Sequence, residues 1–295
     1  MTLHDFILTV FCLVDDYLKQ LHLDHLRQRG PNTRLHDSEV ITIELIGEFL
    51  QMDKDTKIFW HFRHYHAAEF PGLRHIDRST FVRQAANLWA VKQCLHQHLA
   101  EQLTQADPIW HCDSMPVYAC QFARAPYCQR FAGSAAFGKD QLVRQTFYGF
   151  RLHLRVSNEG IIQAAALAPA NEADIHLVWE LEPPAGKLGI GDRGYWSPTL
   201  QEQLAEYGLI LLAPYKSKKH DPDPEQSRPL RKLHWRIETV NGQLADRYQA
   251  KRSWARDLWH LCHRVIRKVL SHTVSCWINI GLGRRPLDFA GLLTD

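Results

Sequence analysis

Hydrophobic positions recur with two different periods along this chain, and the change falls near residue 107. Before it, apolar residues repeat every three to four positions, which predicts helices over about 3–21, 37–51, 54–66 and 79–99. Asp37 and Ser38 can cap the second segment and Ser79 the fourth, each by accepting a free backbone N–H. The third and fourth segments are joined through Pro71-Gly72, which leaves two arrangements open, a helix-turn-helix whose inserted helix spans 79–91 and a plain helical bundle. Lys57, Arg63, Arg74, Arg78 and Arg83 lie around that turn.

Beyond residue 107 the period shortens to two. A brief apolar strand over 109–113 is entered through Pro108. The segment 147–156 alternates, with Tyr148, Phe150, Leu152, Leu154 and Val156 on one face and Gly149, Arg151, His153 and Arg155 on the other. The turn Asn158-Glu159-Gly160 returns the chain into a second hairpin strand over 161–167. A short strand over 187–191 stops at Asp192, a helix follows over 198–207, and 209–214 is apolar throughout, as in a buried sheet strand. Helices resume from about 229. The last, over 254–277, has Leu258, Leu261, Cys262, Val265, Val269 and Leu270 on one side and Arg256, His260, Arg264 and Arg267 on the other. Three strands without an intervening helix, then two with helical crossovers, predict an α/β fold with a mixed five-stranded sheet. The expected division is a helical region over 1–106 followed by an α/β domain over 107–295.

Composition narrows the class without changing that picture. The 295 residues are 45% hydrophobic and 23% charged, which suits a globular protein with a sizeable core. The apolar run 6–14 ends at Asp15 and Asp16, far short of the roughly 20 residues of a membrane span. The first five residues carry no Lys or Arg, so no secretory leader is expected and the chain reads as cytoplasmic, with no membrane partner. The seven cysteines form no CxxC pair, and free thiols are expected. Cys112, Cys120 and Cys128 recur at a spacing no zinc site uses; Cys94-x-His96-x-His98 and the group His61, His64, His66 are mildly suggestive of metal but read first as helix-surface polar residues and buried thiols.

Charge does change the picture, because it is unevenly placed. The formal net charge is +3, yet residues 228–272 carry eleven Lys and Arg against three acids, a local +8 that leaves −5 elsewhere. Such a block is the footprint of a polyanion partner. Residues 1–107 hold eleven bases and fourteen acids, so any nucleic-acid surface there is local.

Three acids stand out by placement. Asp113 ends the first strand, Asp192 ends the fourth, and Glu238 lies in a helix beside the apolar stripe Leu233, Ile237, Val240, Leu244. Apolar and glycine neighbours make a lone carboxylate costly unless a partner or cation meets it. Hard oxygen donors at this density suit Mg²⁺ or Mn²⁺. On the glutamate's own helix face lie Arg231, His234, Trp235, Asn241 and Ala245. Asp174 follows Asn171 at a helix start and reads first as a capping residue.

The order Asp113, Asp192, Glu238 resembles the acidic triad of DDE-type transposases of bacterial insertion sequences. So do the strings Asp113-Ser114-Met115-Pro116-Val117, Tyr148-Gly149-Phe150-Arg151-Leu152-His153-Leu154, Pro169-Ala170-Asn171-Glu172-Ala173-Asp174, Gly191-Asp192-Arg193-Gly194-Tyr195 and Arg236-Ile237-Glu238-Thr239-Val240-Asn241-Gly242-Gln243-Leu244. The resemblance spans about 107–250 and implies a ribonuclease H-like catalytic core after a DNA-binding helical region. It implies that Asp113, Asp192 and Glu238 hold two Mg²⁺ ions, with Mn²⁺ able to substitute, for strand cleavage and strand transfer of the element's ends. It also implies double-stranded DNA as partner, a homodimer assembled on it, and a nucleoid-associated location. Phosphate contacts are expected from Arg151, His153, Arg231, His234, Arg236, Arg247 and Lys251. Many relatives carry Tyr, Arg and Lys at seven before, four before and seven after the glutamate; here those positions are Arg231, His234 and Ala245. Alternatives left open are a catalytically decayed DNA-binding protein that keeps the fold, a stand-alone nuclease, and a zinc hydrolase.

Overall fold

The computed structural model describes residues 1–23 and 33–294, and the chain forms two compact units, residues 1–99 with 247–295, and residues 100–246.

The α/β unit grows from the alternating segment seen in the sequence. β1 (Ile109–Cys120) pairs antiparallel with β3 (Gln145–Ser157), and β3 with β4 (Ile162–Pro169). β5 (Leu188–Ile190) and β6 (Ile210–Leu212) extend the other side of β1 in parallel. The order β4-β3-β1-β5-β6 is the mixed five-strand core expected from the sequence. A sixth strand, β2 (Ala136–Asp140), pairs with Gln145–Gly149 of β3, whereas β4 takes Phe150–Val156 of the same strand. Leu152, Leu154 and Val156 are buried as the alternation requires.

α6 (Pro198–Glu206) begins at Ser197, whose hydroxyl accepts from the Leu200 N–H. It lays Leu200 and Leu204 into a core with Trp110, Cys112, Tyr195 and Leu211. Truncating a buried leucine such as Leu204 costs about 2–5 kcal/mol. α7 (Pro224–Leu233) and α8 (Trp235–Asp246) follow, and α8 packs on β1 through Ile237, Val240 and Leu244. Leu233, expected on the same stripe, is instead 38% exposed because the helix is interrupted at His234.

The helical unit contains α1 (Leu3–Gln20), α2 (Asp37–Phe49), α3 (Asp55–Tyr65), α4 (Arg78–Asn87), most of α5 (Trp89–Thr104) and α9 (Leu258–Gly281). The helix expected over 79–99 is two, broken at Leu88. Ser79 is not the cap of α4, which starts after Asp77. At α2 the capping position is His36, whose backbone N–H donates to Glu39, while Asp37 accepts from the Gln84 amide. α3 and α4 are joined by a 3-10 turn at Pro71–His75, and Arg63 donates to the carbonyls of Arg74 within it and of Ile76 just after it.

Residues 247–295 therefore fold with the N-terminal helices rather than with 107–246. The physical reason is a buried ion network. Arg267, 1% exposed, meets Glu44 and Glu48 of α2 and Asp55 of α3. Lys268 pairs with Glu48, Arg264 with Asp55, and Lys92 of α5 with Glu44 and His263. Arg264 and Arg267, read as a basic face for DNA, are thus committed inward. No helix among the described residues is long and apolar enough to cross a membrane. All seven cysteines are free.

Candidate active site

Strand register brings the first two acids level. β1 and β5 run parallel with His111 opposite Ile190, so two residues further on Asp192, just past the end of β5, comes level with Asp113. Asp113 lies within β1 rather than at the strand end expected from the sequence, since β1 continues to Cys120. Asp192 caps a short 3-10 turn, Arg193–Tyr195, and its Oδ1 accepts from the Gly194 N–H at 2.7 Å. Burial and the neighbouring Asp113 charge raise its pKa above the ordinary carboxylate value, against the Gly194 bond and His234.

α8 supplies the side chains that hold Asp113. The Asn241 amide donates to Asp113 Oδ2 at 2.8 Å, and His234 Nε2 lies 3.6 Å from the same oxygen. Burial alone would lower the His234 pKa; the hydrogen bond and charge of Asp113, with Asp192 and Glu238 behind it, reverse that and raise it. Glu238 stands four residues after His234 and three before Asn241, hence on the same helix face. Its side chain is exposed, however. Among the described residues no group of three or more His, Cys, Asp or Glu side chains is arranged to hold a metal ion. Asp113 and Asp192 are brought together; Glu238 shares their side of the helix without closing on them.

A fourth carboxylate belongs to this neighbourhood. Asp174 does not serve as the cap of its 3-10 turn, where Ala173 holds that position. Its Oδ1 accepts from the Ser114 hydroxyl at 2.8 Å and lies 3.7 Å from His153 Nδ1. Gly194 explains how Asp174 and Asp192 approach. A Cβ at residue 194 would sit 2.9 Å from Asp192 Oδ1 and 3.2 Å from Asp174 Oδ2, so the missing side chain leaves a gap between two carboxylates. The sequence allows Asp174 to approach the site but ranks a capping role first, because a helix-start acid usually caps. The signal for its other role was only its place in the string beginning at Pro169.

The cations expected at phosphates fare unevenly. His153 is fully buried, its pKa lowered by burial, and its ring nitrogens make no hydrogen bond among the described residues; it lies behind Asp174 and is not a surface DNA contact. Arg151 is spent on the fold, donating to Ser114 Oγ and to the carbonyls of Lys139 and Ala170. Arg247 donates to the Phe49 carbonyl and stacks over that ring at 4.1 Å, so it too points inward. Arg231 is half-buried and donates to the Ser227 carbonyl, and Lys251 is half-buried. Arg236 lies over the exposed Trp235 ring at 4.2 Å.

Comparison with known proteins bears on this arrangement. The family described as "Transposase DDE domain" matches residues 86–258, more than half of the chain. No curated protein matches. Among solved structures, the chain is similar to the piggyBac transposase seen by cryo-EM as a synaptic complex with hairpin DNA. Identity is 10% and the TM-score 0.48, over 95% of this chain and 76% of that one. The match over residues 86–258 takes in Asp113, Asp174, Asp192, His234, Glu238 and Asn241 together, and the chain belongs to the DDE-domain transposase family.

Proposed function

We propose that this protein is a DNA transposase that cleaves and joins the ends of an insertion sequence at Asp113, Asp192 and Glu238. The observation that carries the reading is the level placement of Asp113 and Asp192 by the β1–β5 register in a chain of this family. The donor chemistry fits hard divalent cations. Two carboxylates face each other with a raised pKa at Asp192, and the buried Asn241 Oδ1 has no hydrogen-bond partner among the described residues. Asp113 and Asp192, with Glu238 from α8, are the residues that would hold two Mg²⁺ or Mn²⁺ ions. Bound there, such ions would supply Lewis-acid polarisation of the phosphoryl group and activation of the attacking hydroxyl.

The chain's own residues prepare that site. The Asn241 amide donates to one oxygen of Asp113 and the Ser114 backbone N–H to the other at 2.7 Å, so the carboxylate is oriented from both sides. His234, charged more readily than an ordinary histidine, screens the repulsion between the two carboxylates. Ser114 links Asp174 to Arg151, which holds the strand bearing Asp113 in register with its neighbours. DNA affinity is assigned to exposed cations such as Arg228, Lys232, Arg252 and Arg256, which supply sequence-independent phosphate contacts. Chemistry on two DNA ends calls for a homodimer assembled on duplex DNA.

The test is cleavage of a duplex carrying the DNA that flanks this gene, in Mg²⁺ or Mn²⁺, by wild type and Asp192→Asn. Metal-dependent cleavage lost in the variant, with DNA binding kept, supports the assignment; equal cleavage by both overturns it. The exposure of Glu238 and the absence of a three-donor group among the described residues favour one second reading, a decayed copy that binds DNA. Binding without cleavage by either protein selects it.

A further inference from the structure

Residues 121–147, from the end of β1 into the start of β3, carry an unusual surface. Three aromatic side chains stand in solvent there: Phe122 is 55%, Phe137 49% and Tyr127 88% exposed. Phe122 and Phe137 meet edge to face with centroids 6.1 Å apart, and Phe137 lies 5.1 Å from Tyr148 at the sheet, so the rings form a ladder leading outward. Exposed rings that touch one another mark an interaction surface more than rings scattered singly do. Four exposed cations, Arg124, Arg130, Lys139 and Arg144, share the segment. Its one acid, Asp140, is buried and accepts from the Tyr118 hydroxyl at 2.5 Å and from the Leu142 and Val143 N–H groups. The outward charge is therefore wholly positive. Lys139, Arg144 and Thr146 also line a cleft of about 350 Å³ at the β2–β3 turn.

The segment is tied to the candidate active site. Arg151 donates with one guanidinium nitrogen to the Lys139 carbonyl at 2.9 Å and with another to Ser114 Oγ at 3.2 Å. Gly138 lies so close to Ala170 that a Cβ would come within 2.5 Å of its carbonyl oxygen, which fixes β2 against the chain leading to Asp174. One side chain thus spans from the basic-aromatic strand to the neighbour of Asp113.

We propose that the surface formed by Phe122, Tyr127 and Phe137 with Arg124, Arg130 and Lys139 binds the single-stranded DNA flank that adjoins the duplex at the candidate active site. Exposed rings stack on the faces of unpaired bases, which a duplex hides within its own stack, and the interleaved cations follow the phosphates. Charge selects a polyanion, and the rings select an unpaired one. The inference rests on the transposase reading and extends it by naming the strand state that the site receives.

The test compares two probes on the full chain: a blunt duplex, and the same duplex with an unpaired thymidine tail of about eight nucleotides, within one single-strand site. One tail base is replaced by 2-aminopurine, whose fluorescence reports stacking. Wild type is expected to bind the tailed probe about tenfold more tightly than the blunt one and to change the 2-aminopurine signal. Phe122→Ala with Tyr127→Ala is expected to remove that increment and the signal while leaving blunt-duplex affinity and melting temperature unchanged. Arg124→Gln with Arg130→Gln is expected to reduce the increment and flatten its salt dependence, a check that does not depend on the ring variants. Blunt-duplex binding with no increment from the tail overturns the surface alone. A ring variant that loses self-association instead, with the increment intact, also overturns it in favour of a second copy of the chain. No binding of either probe overturns the transposase reading and the surface together.

Discussion

Two groups of carboxylates in this protein meet opposite fates. In the helical unit Glu44, Glu48 and Asp55 are buried against Lys92, Arg264, Arg267 and Lys268. Burial alone would raise the Asp55 pKa, yet Arg267 and Arg264 outweigh it and hold it at about 2. In the α/β unit Asp113, Asp174 and Asp192 cluster with no Lys or Arg ion pair among the described residues, and the Asp192 pKa moves the other way. Matched charges of the first kind hold helices together. Unmatched ones cost stability and persist where a cation or substrate completes them.

The largest expected effect breaks the second group. Asp113→Asn or Asp192→Asn should lower metal-dependent cleavage on the order of a thousandfold, the scale of several kcal/mol of lost charge stabilisation. The same Asp192→Asn change should not lower the melting temperature, because it removes a carboxylate whose charge is disfavoured by burial and by Asp113. A variant that lost activity by unfolding would instead place Asp192 among the structural acids.

Next in size is the mirror experiment. Arg267→Met leaves Glu44, Glu48 and Asp55 short of a partner and should cost about 3–5 kcal/mol in denaturant unfolding. A loss under about 1 kcal/mol would mean that the network is already hydrated.

Part of the basic block at 228–272 is internal to the fold: Arg264, Arg267 and Lys268 are paired inward, whereas Arg228, Lys232, Arg252 and Arg256 are exposed. Counting charge within 228–272 finds a basic block, but Glu44, Glu48 and Asp55 lie about two hundred positions earlier in the chain. A window tally cannot see partners at that separation. Local patterns were legible where local physics sets them: the β3 alternation, the apolar β6, the stop of β5 at Asp192. β2 was missed because Ala136–Asp140 is short, contains Gly138 and alternates only weakly. The resemblance to the DDE-domain transposase family was legible as well, in the motif strings. That Asn241 and His234 would hold Asp113, and that Asp174 would join it through Ser114, depends on long-range pairing and was not.

Acid should separate the two groups in a titration. Burial depresses the pKa of His263 to about 4 and of His272 to about 3. In the unfolded chain both would titrate near about 6.5, so between these values the unfolded state binds more protons. Stability from these histidines is complete above about pH 6.5 and declines as pH falls toward their folded values; Asp55 removes more below about pH 4. Thermal melts across this range should show a falling melting temperature on acidification, and a flat profile from about pH 7 to about pH 4 would contradict the burial of His263 and His272 as neutral groups.

The smallest expected effect is Gly194→Ala. Its methyl would enter the gap 2.9 Å from Asp192 Oδ1, so the carboxylate must shift by a few tenths of an ångström. Cleavage should fall by about tenfold or more with little change in melting temperature. Equal cleavage would mean that the gap between Asp174 and Asp192 takes no part in the reaction.

The central claim is that Asp113 and Asp192 form a cation site, and Mn²⁺ binding followed by electron paramagnetic resonance tests it without reference to DNA or turnover. Free Mn²⁺ should be depleted by the wild-type protein and remain free with Asp113→Asn or Asp192→Asn, each folded by its melting curve. Variants that bind Mn²⁺ as tightly as wild type would contradict the account.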